Sequence, residues 1–378
     1  MSISEESNTM HTQLSKLSRR RLLRLAVALP LLSKNTLAAA APPSPETAGN
    51  HNKTLSRIAF GSCAHQDKEQ SIWADVIASQ PDLFVFLGDN IYGDADNPEV
   101  LAAKYEKLAA KPGFSRLRQE TEIIATWDDH DYGRNDAGRE YPSKEASRKL
   151  LLNFFGEPAT SERRTRPDGI YTSYLYGASG RRVQVILLDL RWNRTAITRI
   201  QDRERQRERE AEDRGPYDVS LSADAELLGE RQWVWLERQL QVEADLRIIG
   251  SSIQLLAEFT GWETWANFPK ERQRFIELLE HYQAEPVVII SGDVHWAEFS
   301  RIDETANGWP LIELTSSGIT EEWPQISPNR HRVGEAFAVA NFGLIQIDWS
   351  THPWPKLKLS AHGIGGEAIL SHDIEFDA

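Results

Sequence analysis

Four short polar clusters in this chain combine side chains that hold metals and move protons. They are Gly61-Ser62-Cys63, Gly88-Asp89-Asn90-Ile91-Tyr92, Trp127-Asp128-Asp129-His130-Asp131 and Gly292-Asp293-Val294-His295. Together they offer carboxylates, imidazoles, a thiol and a phenol. Gathered in one cleft, that many carboxylates would raise one another's pKa by repulsion. Bound cations remove the difficulty, so the chemistry the set suggests is metal-dependent. The glycines before Asp89 and Asp293 would let the backbone turn sharply and approach such metals closely.

Each cluster directly follows an apolar run of strand length, at residues 58–60, 83–87, 123–126 and 287–290. In α/β sheets ligands bind beyond the carboxyl ends of the strands, so four loops placed alike can converge on one site. The 83–87 run is continuously apolar, as in a strand buried on both faces. Helical patterns at 71–79, 99–110, 144–155, 224–240 and 271–282 alternate with further strand patterns at 171–175, 183–188 and 246–249. Strand-like runs at 310–315, 342–347 and 356–360 close the chain. This order predicts an α/β sandwich.

Gly88-Asp89-Asn90-Ile91-Tyr92, Thr126-Trp127-Asp128-Asp129-His130-Asp131 with Asn135-Asp136, and Ser291-Gly292-Asp293-Val294-His295 resemble the alkaline phosphatase D (PhoD-like) family. That family belongs to the calcineurin-like metallophosphoesterases, and the resemblance covers roughly residues 55–365 in the family's order. It implies a four-layer αββα sandwich with metals at the loop end of two central sheets. It implies that Asp89 bridges two metal sites. Cys63, Tyr92 and His295 would join it around Fe3+, where thiolate and phenolate suit a strongly charge-accepting ion. Asp129 and Asp293 would join it around Ca2+, with Zn2+, Mn2+ or Mg2+ as alternatives. His130 stands where the family keeps a non-ligand histidine that protonates the leaving oxygen, with Asp131 or Asp128 to orient it. Arg134 and Asn135 would contact the phosphate. The implied reaction is hydrolysis of a phosphate mono- or diester by metal-activated water, with no covalent intermediate.

The same residues have plainer readings. Cys63 could be a buried structural cysteine, Tyr92 a core tyrosine and Asp128 a turn residue. His65, two after Cys63, mirrors a ligand pair of ordinary metallophosphoesterases, although in the PhoD-like family the tyrosine takes that place. Trp127 and Trp296 read as packing behind the ligands. Glu298 and Asp189 read as structural, and His331 and His362 have a weak claim to the site. A phospholipase- or nuclease-like phosphodiesterase with the same metals is a rival function. So is a non-catalytic metal- or phosphate-binding protein, against which His130 argues, since binding alone needs no acid.

Composition bounds the partners. The 378 residues are 40% hydrophobic and 26% charged, as in ordinary soluble proteins. A net charge of −13 gives no basic surface for nucleic acid or an anionic membrane, so an anionic phosphate ester must be neutralised locally. Residues 1–41 carry Arg19-Arg20-Arg21, a short apolar run at 25–32 and Ala38-Ala39-Ala40-Ala41. That layout predicts a signal peptide read by the twin-arginine export machinery, and a periplasmic or secreted protein. The apolar run is too short, and too broken by Pro30 and Lys34, for a transmembrane anchor. Residues 42–54 read as a linker and 55–378 as one PhoD-like domain, with no room for the N-terminal β-domain of larger family members. Cys63 is the single cysteine, so no internal disulfide can form, and the sharper reading of it is a thiolate already bound to metal before export.

Residues 199–214 contain almost no apolar side chain and mix both signs of charge evenly. They predict a solvated helix or a mobile surface insertion rather than a nucleic-acid arm. Deleting them is expected to leave the melting transition nearly unchanged. A large loss of folded protein in calorimetry would show instead that the segment packs specifically.

Overall fold

Alternation within one strand shows how the layers form. In Leu83–Leu87, Leu83, Val85 and Leu87 join a core between two sheets, whereas Phe84 and Phe86 enter a second core under helices. Successive strand side chains point to opposite faces, so a strand with no polar residue must be covered on both. The computed structural model describes residues 49–376 except 285, 304, 306, 307 and 352. The export signal expected in 1–41, and most of the 42–54 linker, lie outside the described residues.

The first half of the chain runs β1 (Arg57–Gly61), α1 (Trp73–Ala78), β2 (Leu83–Leu87), α2 (Pro98–Ala109), α3 (Pro112–Glu120), β3 (Glu122–Thr126), α4 (Asp129–Tyr132) and α5 (Lys144–Phe154). Next come β4 (Thr172–Tyr176), β5 (Val183–Leu187), β6 (Thr198–Arg199), α6 (Arg203–Ala211), β7 (Tyr217–Asp218), α7 (Glu230–Leu240) and β8 (Leu246–Ser251). The last part is α8 (Pro269–Tyr282), β9 (Val287–Ser291), β10 (Ala297–Ile302), β11 (Leu311–Ser316), β12 (Arg332–Phe337), β13 (Asn341–Asp348), β14 (Lys356–Gly363) and β15 (Ala368–Ile374).

One sheet has the order β15-β14-β13-β1-β2-β3 and the other β12-β10-β11-β9-β8-β5-β4. Ile58, Val85, Ile345 and Leu359 of the first meet Val185, Ile248, Val288 and Leu314 of the second in the central core. Trp73, Leu101, Phe114 and Leu151 cover the outer face of the first sheet, and Trp233, Leu236, Phe275 and Leu279 that of the second. The result is the four-layer αββα sandwich. Parallel pairing of β1 with β2 and β2 with β3 sets Gly61 beside Phe86 and Leu87 beside Thr126. In the other sheet Leu187 lies beside Gly250 and Ser251 beside Ser291. Parallel register therefore brings the chain out of these strands at one end of the sandwich.

Several elements depart from the sequence expectations. The helix expected from 224 begins at Glu230, because Gly229 adopts φ +82 and a Cβ there would meet the Asn193 side chain at 2.5 Å. Leu227 and Leu228, whose apolar pattern suggested an earlier helix start, are buried in a turn whose amides donate to Glu271. Helices α3 and α4 and strands β6, β7, β10, β12 and β15 have no counterpart among those expectations. Of the two forms expected for 199–214, the structure has the solvated helix: α6 buries no residue and is capped by Asp202. Arg205 and Arg209 pair with Asp218, and the Ser327 hydroxyl donates to the Asp213 carbonyl.

A buried ion network ties the loops after β3, β5 and β8 together. Arg191, fully buried, donates from Nε to Asp128 at 2.6 Å and from a terminal nitrogen to Glu263 at 2.7 Å. Arg194 Nε lies 3.0 Å from the other Glu263 oxygen, and the Ser252 hydroxyl donates to Asp128. Removing one partner of such a network strands a buried charge. Arg191→Met is therefore expected to cost about 3–5 kcal/mol in chemical denaturation. Arg205→Ala, which breaks a half-exposed pair, should cost less than about 1 kcal/mol. Equal losses for the two variants would show that the buried network does not hold the loops.

Candidate active site

Three of the four clusters leave their strands through strained backbone. Cys63 (φ +62), Asp89 (+48), Asp293 (+76) and His295 (+67) are left-handed, as are Asp94 and Asp136 beside them. These are six of the nine such non-glycine residues among those described. Conformations of this kind persist only where surrounding structure imposes them, and they concentrate at functional sites. Gly88, at φ +106, passes so close to the next loop that a Cβ would lie 2.6 Å from Asp128 N. Past β3, Asp128 and Asp131 cap the single turn α4: Asp128 N donates to Asp131 Oδ1 at 2.7 Å. That cap aims Asp129 and His130 to the same end of the sheet.

The clusters converge. Cys63 Sγ lies 3.3 Å from Asp89 Oδ2, and the Tyr92 hydroxyl lies 3.0 Å from His295 Nε2. Ser317 joins the two groups, its hydroxyl 3.2 Å from Cys63 Sγ and accepting from His295 N. Asp129 accepts from His130 N and from Asp136 N. Donor atoms of Cys63, Asp89 and His295 lie within 4.8 Å of one another, and so do those of Asp89, Asp128, Asp129 and Asp293. Asp89 belongs to both sets.

Burial sets the electrostatics. It pushes Asp89 and Asp293 well above the usual carboxylate range, with the Cys63 thiolate adding to the first and Asp128 and Asp129 to the second. It drives Cys63 up to about 12 and His295 down to about 4. Burial also raises Asp128 to about 6, although Arg191 opposes it. For Asp129 burial acts upward, but His130 and Arg191 hold the carboxyl below its ordinary value. A buried nest of acids, a thiol and a phenol thus resists ionising by itself, and a cation among them reverses that preference. Asp128 Oδ2 and Asn90 Oδ1 are buried without hydrogen-bond partners, which also suits a cation nearby. The donors fit two ions, one with sulfur, nitrogen and oxygen ligands and one with oxygen alone.

His130 stands at the mouth of this nest. Burial disfavours its charged form, but Asp129, Asp89 and Asp94 outweigh that and raise it to about 11. Its Nδ1 lies 2.7 Å from Asp94 Oδ1. The orienting acid is therefore neither Asp131 nor Asp128. Asp131 is spent on the α4 cap and on Asn90 and Tyr105, and Asp128 on Arg191 and Ser252. Arg134 also departs from expectation: it is exposed and pairs with Asp96, outside the cleft lining. Asn135 does line the cleft.

The remaining residues singled out from sequence sort readily. His65 stacks on Tyr92 and its Nδ1 accepts from Asp67 N, apart from both donor sets. Trp127 packs on Tyr132 and Trp192, whereas Trp296 lines the cleft. Asp189 accepts from three backbone amides, and Glu298 pairs with Arg332. His331 faces Glu258, and His362 bonds Ser360 and Gly366. Sequence reasoning missed Asp94, Ser317 and the Arg191–Glu263 network. The last carried a usable signal, since Asp189-Leu190-Arg191 also follows an apolar strand run.

Comparison with known proteins comes from two directions. The fold is similar to that of PhoD, at 15% identity and a TM-score of 0.59, over 89% of this chain and 74% of that one. It is also similar to GAP50, the anchor in the inner membrane complex of Plasmodium, at 12% identity and a TM-score of 0.54, over 86% and 90%. A dimetal phosphatase from Danio rerio matches at 13% identity and a TM-score of 0.51, over 86% and 100%. Among curated proteins no sequence match is found. The family model of the PhoD-like phosphatases matches residues 58–346, the span that carries every donor described above, and the chain belongs to that family.

Proposed function

We propose that this protein is an exported phosphatase that hydrolyses phosphate mono- or diesters with two metals, Fe3+ and Ca2+ or another divalent ion. The family makes it a metal-dependent phosphoesterase. The observation that carries the finer reading is Asp89, shared between a donor set with sulfur and nitrogen and a set with oxygen alone, beside an imidazole fixed by a carboxylate. Cys63, Asp89, Tyr92 and His295 would hold Fe3+, and Asp89, Asp129 and Asp293 the second ion, with Asp128 Oδ2 in reach of it. When bound, such ions neutralise phosphoryl oxygens and make water acidic enough to attack near neutral pH. Export is supported by Arg19-Arg20-Arg21 and the apolar run after it. No helix among the described residues is long and apolar enough to cross a membrane.

The protein's own part is proton delivery and positioning. Asp94 holds His130 at Nδ1, which leaves Nε2 to give its proton to the departing alkoxide. Asp94 also favours the charged form of the ring, through its hydrogen bond and its charge. The His130–Asp94 pair favours an enzyme over a binding protein, because binding a phosphate requires no oriented acid.

Spectroscopy, metal analysis and kinetics test this reading. Thiolate and phenolate ligation of Fe3+ should give visible charge-transfer absorption, of which Cys63→Ser removes the thiolate band and Tyr92→Phe the phenolate band. A colourless, iron-free and fully active protein would remove iron from the assignment. Asp129→Ala should lose divalent metal together with activity. His130→Ala should keep both metals and lose turnover by a factor on the order of 10²–10⁴, less for a nitrophenyl ester than for an alkyl ester. Asp94→Asn should lower the His130 pKa, so the alkaline limb of the alkyl-ester pH profile moves down. Metal lost from His130→Ala in proportion to activity would make His130 a ligand instead.

A further inference from the structure

The cleft beside the donor sets is small, about 190 Å3, and much of its lining is aromatic: Tyr217, Trp262, Trp296 and Trp323. Trp262 and Trp323 meet edge to face with centroids 5.7 Å apart at 75°. Trp323 is 41% exposed, a large apolar surface left in water at the edge of a catalytic cleft. The other three are buried or half-buried. These residues come from separate parts of the chain, namely the β6–β7 hairpin, the loop before α8 and the loops after β9 and β11.

Each is fixed to the site rather than loosely packed near it. Trp323 N donates to the His295 carbonyl at 3.2 Å. Trp262 adjoins Glu263, whose carboxylate is held by Arg191 and Arg194. The Tyr217 hydroxyl donates to Asp136, next to Asn135 in the cleft lining. Trp296 follows His295 directly, lines the cleft, is buried, and its indole N–H has no hydrogen-bond partner.

We propose that this aromatic wall is a specificity subsite for a planar aromatic group, an aryl ring or a nucleobase, carried by the phosphate ester. The proposal rests on the phosphoesterase reading above and adds the substrate class. Exposed indole faces stack on any flat π-system, and such stacking tolerates variation in the ring. The nearby acids do not make the wall a cation cage, because Glu263 is already paired with two arginines and Asp136 is bonded by Tyr217. Among the described residues no arginine or lysine lines the cleft to hold a second phosphate, so the group favoured is flat and uncharged, on an ester with one phosphorus.

The test uses metal-loaded protein and two probes with the same phosphonate head, phenylphosphonate and methylphosphonate, titrated by intrinsic tryptophan fluorescence and calorimetry. Phenylphosphonate is expected to bind about tenfold more tightly, an advantage that Trp323→Ala removes and Trp323→Phe largely keeps. Trp262→Ala should reduce it too, and Trp323, being at the surface, carries the test if that variant folds poorly. Equal binding of the two probes, or an advantage that survives Trp323→Ala, would overturn the subsite while hydrolysis of 4-nitrophenyl phosphate leaves the phosphoesterase reading intact. A protein that binds neither probe and hydrolyses no ester would overturn both.

Discussion

The constraint on which the rest of the structure depends is the burial of several acids within a few ångströms of one another. Asp89, Asp128 and Asp129 are buried, and with the half-buried Asp293 they bring donor atoms within 4.8 Å, where water screens them poorly. Left alone, such groups separate or take up protons. Here each is held by something costly to break. Asp128 is pinned by the buried Arg191, Asp129 accepts two backbone amides, and Asp89 and Asp293 sit on left-handed backbone. The protein is built around a charge arrangement that a bound cation would complete.

The sandwich supplies rigidity for that arrangement. Parallel register sets the ends of β1, β2 and β3 level, and those of β5, β8 and β9 likewise. A slip of one residue in any of these strands would exchange its inner and outer faces, moving Leu83, Val85 and Leu87 out of the central core. Register is therefore enforced by the hydrophobic layers, and the position of each functional loop follows from it. Cys63, Asp89 and Asp293 lie within two residues of their strand ends, so little chain separates each donor from the sheet that fixes it.

Much of this was legible in the chain, for a physical reason. A strand covered on both faces reads as an uninterrupted apolar run, and chemistry at its carboxyl end reads as an abrupt change to Gly, Asp and His. The donor residues could be found this way because they are local to their strands. What escaped was long-range or disguised. Arg191 looks like a surface charge in sequence, and only the fold shows that it is fully buried between Asp128 and Glu263. Asp94 lies in a loop whose distance from His130 no spacing rule gives. The aromatic lining joins residues 217, 262, 296 and 323, whose proximity exists only after both sheets have formed. Conversely, Asp131 carried the right chemistry at the right spacing and is used for a helix cap.

Each donor set also straddles the two sheets. Cys63 and Asp89 leave β1 and β2 of one sheet and meet His295, which leaves β9 of the other. Asp89, Asp128 and Asp129 likewise meet Asp293 across the same seam. An ion held there is a rivet through the sandwich, placed beside the Arg191–Asp128 pair that also crosses from one sheet to the other above the apolar central core. Opening of the seam and release of the ion are then one event, so thermal stability becomes a function of free metal concentration. A protein of this design would carry its resistance to unfolding in its mineral supply as much as in its sequence.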